Sequence, residues 1–423
     1  MKISVQIRGL VVLLAIAVFF SVACDGGKAK TGAAADAASD GAGAKKVQQD
    51  WPLFRRDAQM QGVSKENLKA PLELVWEFHA EDEANQEEGT EVKKRKRAYP
   101  IKATAVIVDA MVYLGTEQSR FFCLDLKDGK KKWQYQSEGP ITGPAAVVGD
   151  QVFFGCQYGF LYALDRETGE EKWRFETDDK IEGGVNVLQV KDPATGKLQT
   201  RLFFGSYDNH LYAVDAATGK LIWKYETDNY LVGTPSVVEG DEAAVIVGGC
   251  DGLLHVISAQ SGKEIRNFDV GAYIPNSAGV RDGIAYVAHF GGEIGAYDVA
   301  AGEEVWKVAA GNGVELYASP AVSKDRVYVG GRDKLLRCLD RVSGKEVWRF
   351  ATRKNVDSST VVCDSALYVG GMDGRLYAVD PASGEELWSY EIGAKLTASP
   401  AISRGTLVIS GEDGVVYAFR EAE

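Results

Sequence analysis

Asp373-Gly-Arg-Leu-Tyr-Ala-Val-Asp380-Pro-Ala-Ser383-Gly384-Glu-Glu-Leu-Trp388 sets out a short apolar strand ending in Asp, then Ser-Gly, then a Trp four residues after that Gly. The same order runs from Leu161 through Asp165, Thr168 and Gly169 to Trp173, and it returns down most of the chain. Asp125, Asp165, Asp215, Asp298, Asp340 and Asp380 end the strand in successive copies. Trp133, Trp173, Trp223, Trp306, Trp348 and Trp388 follow in one register. A fourth copy is degenerate, with Ser258 at the Asp position and Arg266 at the Trp position, and the intervals between copies are 40, 50, 43, 40, 42 and 40 residues. Self-similarity at this period identifies a repeat architecture before any local assignment is made.

Each unit reads as four strands. In the sixth copy these are Ala318-Ser-Pro-Ala-Val322, Arg326-Val-Tyr-Val-Gly330, Leu335-Leu-Arg-Cys-Leu339 and Glu346-Val-Trp-Arg-Phe350. All are short, rich in β-branched and aromatic residues, and bounded by Gly, Asp or Ser. Asp-Gly pairs such as Asp251-Gly252, Asp373-Gly374 and Asp413-Gly414 separate the second strand from the third and suit a tight hairpin with positive φ. Gly169, Gly219, Gly262, Gly302, Gly344 and Gly384 turn the third strand into the fourth, while the preceding Asp and Thr or Ser hydrogen-bond turn amides.

Four-stranded antiparallel units at this period are the blades of a β-propeller. After Trp388 one more copy supplies three strands, Ala398–Ile402, Thr406–Ser410 and Val415–Phe419. Its missing fourth strand has a match far upstream, in Leu72-Glu-Leu-Val-Trp76-Glu-Phe78. The expected fold is therefore all-β, an eight-bladed propeller of four-stranded antiparallel blades whose last blade is closed by an N-terminal strand. Closure removes open sheet edges. A large ring at one position of every blade would hold neighbouring sheets together, so the repeated tryptophans, Trp76 included, read as structural, and truncating one should cost about 3–5 kcal/mol.

The repeated residues resemble the PQQ-type β-propeller family, and Tyr207 to Trp223 and Asp373 to Trp388 match its repeat closely. The resemblance covers roughly residues 51 to 420. Trp51-Pro-Leu-Phe54-Arg55, with Gly62 further on, is similar to the lead-in that precedes such propellers.

The first fifty residues have another character. Lys2 and Arg8 precede an apolar stretch from Leu10 to Phe20 and then Ser21-Val-Ala-Cys24, the layout of an export signal ending in a sequence that resembles a bacterial lipobox. We expect residues 1–23 to be a signal peptide, Cys24 to carry a lipid, and residues 24–50, poor in large apolar side chains, to be a flexible tether with a reach of about 30 Å. The propeller is expected over residues 51–423. Between Trp76 and the first full copy lies a charge run, Glu81, Asp82, Glu83, Glu87, Glu88 and Glu91 followed by Lys93-Lys-Arg-Lys-Arg97. It reads as a solvated loop, or else as a docking loop for a partner or for anionic lipid.

Charge and cysteine content bound the function. The net charge is −12, and removal of residues 1–23 takes away Lys2 and Arg8 and no acid, which leaves about −14. Nucleic acid is disfavoured as a partner. Besides Cys24 the chain has Cys123, Cys156, Cys250, Cys338 and Cys363, with no CxxC pair. Cys123 and Cys338 stand two residues before a strand-end Asp, where other copies have Ala. The histidines His79, His210, His255 and His289 show no metal-ligand spacing and no GxSxG element is present.

The resemblance leaves two functions to weigh. The family's quinoprotein dehydrogenases hold PQQ and calcium at the ring axis with a catalytic Asp, and many carry a disulfide between adjacent cysteines; this chain has no adjacent cysteines and no tryptophan left unassigned. Its non-catalytic branch, the BamB-type lipoproteins of outer-membrane-protein assembly, uses the propeller as an interaction platform. The combination of lipobox, tether and eight repeats resembles that branch more. The expected role is an exported, periplasm-facing, lipid-anchored scaffold for protein partners, with no cofactor and no metal. A PQQ dehydrogenase or another small-molecule-binding propeller is the alternative. If the axial funnel binds anything, its rim should come from the polar residues that enter the innermost strands: Lys102, Glu182, Asn276, Glu315, Asp357 and Lys395. The departures from the repeat at Ser258, Arg266 and residues 81–97 are the first places to seek a partner.

Overall fold

Apolar alternation and turn chemistry resolve, in a computed structural model, into thirty-two strands among the described residues, arranged as eight separate four-stranded sheets. The structure describes residues 50–80, 99–192, 195–240, 242–311 and 313–422. The export signal, Cys24, nearly all of the tether and the charge run at 81–97 lie outside the described residues.

Seven blades are continuous in sequence, at 106–136, 146–176, 186–226, 236–269, 279–309, 321–351 and 361–391, and all their pairings are antiparallel. The eighth combines three C-terminal strands, Ala401–Ser403, Thr406–Ser410 and Val415–Glu421, with Leu72–His79. There Leu72 faces Glu421 and His79 faces Val415. This is the closed eight-bladed propeller that the repeat implies.

Within a blade the two middle strands are buried on both faces, as in Phe160–Asp165, whereas the outermost strand, such as Glu171–Glu176, alternates exposed and half-buried residues. Such a middle strand is therefore almost wholly apolar and cannot show a one-sided pattern. The pairing of third strand with fourth slips by one residue in every blade, for example between Ala163 and Leu164. That β-bulge precedes the Asp turn and adds local twist. Just before the slip a small residue faces the repeated tryptophan: Ala163 opposite Trp173, Ala213 opposite Trp223, Ala378 opposite Trp388. Cys123 and Cys338 hold this position opposite Trp133 and Trp348, buried and unpaired, in the first and sixth blades.

Each tryptophan then reaches the next blade. The indole nitrogens of Trp76, Trp133, Trp173, Trp223, Trp306 and Trp348 donate to main-chain carbonyls of Leu126, Arg166, Ala216, Ala259, Arg341 and Pro381 at 3.0–3.3 Å. The same indoles lie against the turn glycines of the next blade, where an added Cβ would overlap the ring. The strand-end Asp side chains hold those turns: Asp165 accepts from the amides of Glu167 and Thr168, and Asp380 from those of Ala382 and Ser383. In the degenerate blade Ser258 accepts from the Ser261 amide, and Arg266 stands in the place of the indole with a guanidinium nitrogen against Gly302.

The connection between second and third strands differs from a two-residue hairpin. Cys250, Asp251 and Gly252 follow Gly249, whose carbonyl accepts from the Gly252 amide, and only the last residue has positive φ. The side chain of Asp251 instead accepts from the Leu253 amide. The aspartate thus stabilises the loop through its oxygen, and the left-handed residue alone turns it.

Candidate functional site

The innermost strands surround the axis, and the residues entering them form rings that repeat blade by blade. Two residues before each strand lies a hydroxyl ring. The amide of Gly184 donates to Thr234 Oγ1, Ser277 to Ser319 Oγ, Ser319 to Ser359 Oγ, Ser359 to Ser399 Oγ and Ser399 to Thr104 Oγ1, all at 2.9–3.1 Å. Five of the eight steps from blade to blade around the axis are thus tied. Pro144 occupies the ring in the second blade, where it has neither amide proton nor hydroxyl. These serines, two of them in Ala-Ser-Pro, read in sequence as turn residues; their forty-residue recurrence was the signal that could have singled them out.

Above this ring the funnel wall is formed by Lys102, Thr142, Glu182, Tyr317, Asp357 and Thr397, and the cavity they enclose with Asn276 has a volume of about 170 Å³. Four of the six polar residues expected at the rim, Lys102, Glu182, Asn276 and Asp357, line it. Glu315 and Lys395 do not. They lie two residues further out, where their carbonyls accept from the loop amides of Arg332 and Glu412.

The charges on the funnel wall and beside it are paired. Lys102 Nζ lies 2.8 Å from Glu117, and this hydrogen bond holds the ammonium pKa above its ordinary value. The Arg332 guanidinium spans two carboxylates, with Nε and Nη2 donating to Asp357 at 3.1 and 3.0 Å and Nη1 to Glu315 at 2.6 Å. Its hydrogen bond to Asp357 raises the guanidinium pKa further. Lys180 lies 3.4 Å from Glu182 and 3.8 Å above the centroid of the Tyr207 ring. Burial, followed by the Glu182 carboxylate, raises the pKa of the Tyr207 hydroxyl and keeps it neutral.

Phe54 lines the same cavity. It belongs to a lead-in segment whose main chain visits the innermost strands in turn. Trp51 exchanges hydrogen bonds with Ile107, the Val147 amide donates to Pro52, Val237 to Ala58, Val280 to Gln59, Val322 to Gln61 and Val362 to Gly62. Asn186 joins the third blade to it by donating to the Ala58 carbonyl at 2.8 Å. Arg55, buried, turns inward and donates to the carbonyls of Met60, Pro320 and Thr360. Burial lowers its pKa to about 9, with the Asp57 carboxylate acting the other way. The segment therefore closes one end of the axis and leaves the funnel open at the other. Nothing in the residue types of 51–64 announces this, since most of the contacts are made by main chain.

Three kinds of relative bear on this geometry. A family model described as outer membrane protein assembly factor BamB matches residues 73–199 and 332–423, slightly over half of the chain. A second, described as the β-propeller domain of glucose, ethanol and alcohol dehydrogenases, matches residues 140–315. No curated protein matches. Among solved structures, BamB from Moraxella catarrhalis superposes with a TM-score of 0.66 at 17% identity, covering 83% of this chain and 100% of that one. The quinohemoprotein alcohol dehydrogenase from Comamonas testosteroni gives 0.70 at 16%, covering 90% and 84%. The computationally designed Ika8 protein gives 0.63 at 16%, covering 77% and 98%. At these identities the likeness is one of fold, which an enzyme, an assembly factor and a designed chain share.

The funnel fits a quinone cofactor poorly. At about 170 Å³ it is smaller than the ~300 Å³ at the low end of small-molecule sites. Lys102, the one cation among its described lining residues, is engaged by Glu117, and six of the tryptophans that could stack on a planar ring are hydrogen-bonded between blades.

Proposed function

We propose a function from the family to which this chain belongs, the PQQ-type β-propellers described as outer membrane protein assembly factor BamB: the protein is a non-catalytic scaffold that serves the assembly of outer-membrane proteins. One observation carries the reading. The ring is joined blade to blade by six indole hydrogen bonds and five hydroxyl links, sealed by residues 51–64 at one end, and open at the other as a narrow funnel edged by charges and aromatic rings. That is a rigid surface suited to contact with another protein.

In this reading residues 1–23 direct export, Cys24 carries a lipid that holds the protein at a membrane facing the periplasm, and residues 24–50 let the propeller reorient there. Mass spectrometry of the membrane fraction tests the anchor, and an unmodified Cys24 in the mature chain sinks it. Proximity labelling in the source cell, with quantification of outer-membrane proteins after deletion, tests the role. Labelling of assembly components and lowered outer-membrane protein levels are expected. Unchanged levels with no assembly component labelled would overturn it.

The match of residues 140–315 to the dehydrogenase propeller supports a second reading, a quinoprotein enzyme. Adding PQQ and calcium to purified protein separates the two. Saturable binding with oxidation of alcohols or aldoses would replace the scaffold with the enzyme.

A further inference from the structure

All five exposed tyrosines among the described residues, Tyr99, Tyr158, Tyr230, Tyr273 and Tyr317, belong to the funnel end of the ring. The other exposed large apolar residues, such as Leu221, Ile265, Val347 and Leu387, mostly lie singly on outermost strands. Single exposed apolar residues need no explanation, but a one-ended set of aromatic rings does. Two of them are backed by another ring. Tyr230 is stacked on Tyr207 at 4.9 Å and 17°, and Tyr317 lies beside Phe290 at 6.1 Å. Loop amides fix neighbouring positions, with Cys250 donating to the Tyr230 carbonyl and Phe290 to that of Tyr273.

Acids alternate with these rings. Asp178 and Asp179 enter the third blade, Asp228 the fourth and Asp269 the fifth; all four are exposed and none forms an ion pair among the described residues. On the opposite side of the mouth Arg353 and Lys354 are exposed instead. Inside the mouth the wall carries Thr142 Oγ1 and Asn276 Oδ1, acceptors that no protein donor meets, and Glu182, whose carboxylate is approached by the Tyr207 hydroxyl. Glu182 Oε2 has Lys180 at 3.4 Å without hydrogen-bond geometry, and Asn276 is only 4% exposed, with its amide nitrogen already committed to the carbonyls of Ala288 and Leu316.

Exposed tyrosine faces, unpaired carboxylates and donorless oxygens ask for the same thing, a cation rich in N–H groups. Guanidinium meets all three demands, since it stacks on aromatic faces and donates in a planar fork to carboxylates. The molecule shows both contacts internally, for Arg332 lies 5.0 Å over Tyr317 while forked on Asp357. We propose that the acidic, tyrosine-faced side of the funnel mouth, over the second to fifth blades, docks an arginine-bearing segment of a partner protein. The inference deepens the scaffold reading and rests on it for the partner being a protein.

A fluorescein-labelled peptide of alternating glycine and arginine tests it on the purified chain, with lysine and glutamate versions for comparison. Saturable binding is expected for arginine, weaker binding for lysine and none for glutamate. Tyr230→Ala with Tyr273→Ala, and separately Asp178→Asn with Asp179→Asn, should each weaken the arginine peptide about tenfold. Glu167→Gln with Glu170→Gln, an equal charge change at a turn on the other end of the ring, should leave it unchanged. Thermal unfolding of each variant checks that the fold is kept. Absence of saturable binding, tyrosine variants without effect, or equal weakening by the Glu167 and Glu170 pair would each overturn the proposal. Peptide binding at the mouth in a chain whose deletion leaves outer-membrane proteins unchanged would keep the docking face and remove only the assembly role.

Discussion

Gly384 lies flat against the indole of Trp348 from the preceding blade, so closely that a Cβ on the glycine would stand 2.6 Å from Cδ2 of the ring. The glycine also has φ +77°, a left-handed conformation that costs other residues energy. Both restraints act on the same atom. Gly384→Ala should therefore destabilise the propeller by about 2–4 kcal/mol, the sum of backbone strain and overpacking. Urea unfolding followed by tryptophan fluorescence would measure it; an unchanged midpoint would mean that the blade contact adapts at no cost.

The eighth blade provides an internal comparison. Its third and fourth strands come from opposite ends of the chain, so no turn glycine lies beneath Trp388, which contacts Tyr390 and Phe419 instead. Trp173 has both the Gly219 contact and the 3.2 Å hydrogen bond to Ala216. Trp173→Ala should cost about 3–5 kcal/mol. Trp388→Ala should cost less, and equal losses in denaturant titration would count against a specific role for the glycine contact.

The hydroxyl ring predicts an effect at a small side chain. Ser359→Ala removes the acceptor of the buried Ser319 amide and should cost about 1–3 kcal/mol. Ser359→Thr keeps the oxygen and should recover most of the loss. A denaturation midpoint that fails to separate Ala from Thr would show that the ring contributes nothing through its hydrogen bonds.

His255 predicts a dependence on pH. Its imidazole is buried between Asp251, 2.9 Å from Nε2, and Glu264, 3.3 Å from Nδ1, with the Tyr225 hydroxyl donating to the same Glu264 carboxylate. Burial, the largest influence, works to lower the imidazole pKa, but the hydrogen bonds and charges of the two carboxylates together raise it above the ordinary value. A raised folded-state pKa means that the extra stability is fully present below the unfolded value, near 6.5, and is lost as pH rises through the folded one. Stability should accordingly fall on that rise. In His255→Tyr the fall should vanish, because Tyr212, Tyr377 and Tyr417 at the same place donate to Asp208, Asp373 and Asp413 without titrating in this range. Denaturation at a series of pH values on both proteins decides it.

The fold was legible because its determinants are local and repeated. Asp380, Gly384 and Trp388 act within one turn and one blade contact, and six intact copies outweigh the failure at Ser258 and Arg266. The funnel was legible in part. Lys102, Glu182 and Asp357 betray themselves as charged residues just ahead of short apolar strands, but the same rule also selected Glu315 and Lys395, which point their chemistry at loop partners two residues further from the axis. The hydroxyl ring was hidden because a serine before a proline looks like an ordinary turn. The sealing segment was hidden for a deeper reason: Trp51, Pro52, Ala58, Gln59, Gln61 and Gly62 bond through carbonyls and amides that every residue type possesses.

The pairing of Glu73 with Arg420 has a consequence in time. Strand Leu72–His79 and the segment before it precede all seven continuous blades in the chain, yet both bind surfaces that exist only when the ring is nearly complete. This strand is made before its partner and must wait, with its edge bare, for a segment almost 350 residues behind it. Contacts of such separation are slow to form. Closure of the eighth blade is thus the step that waits on all the others.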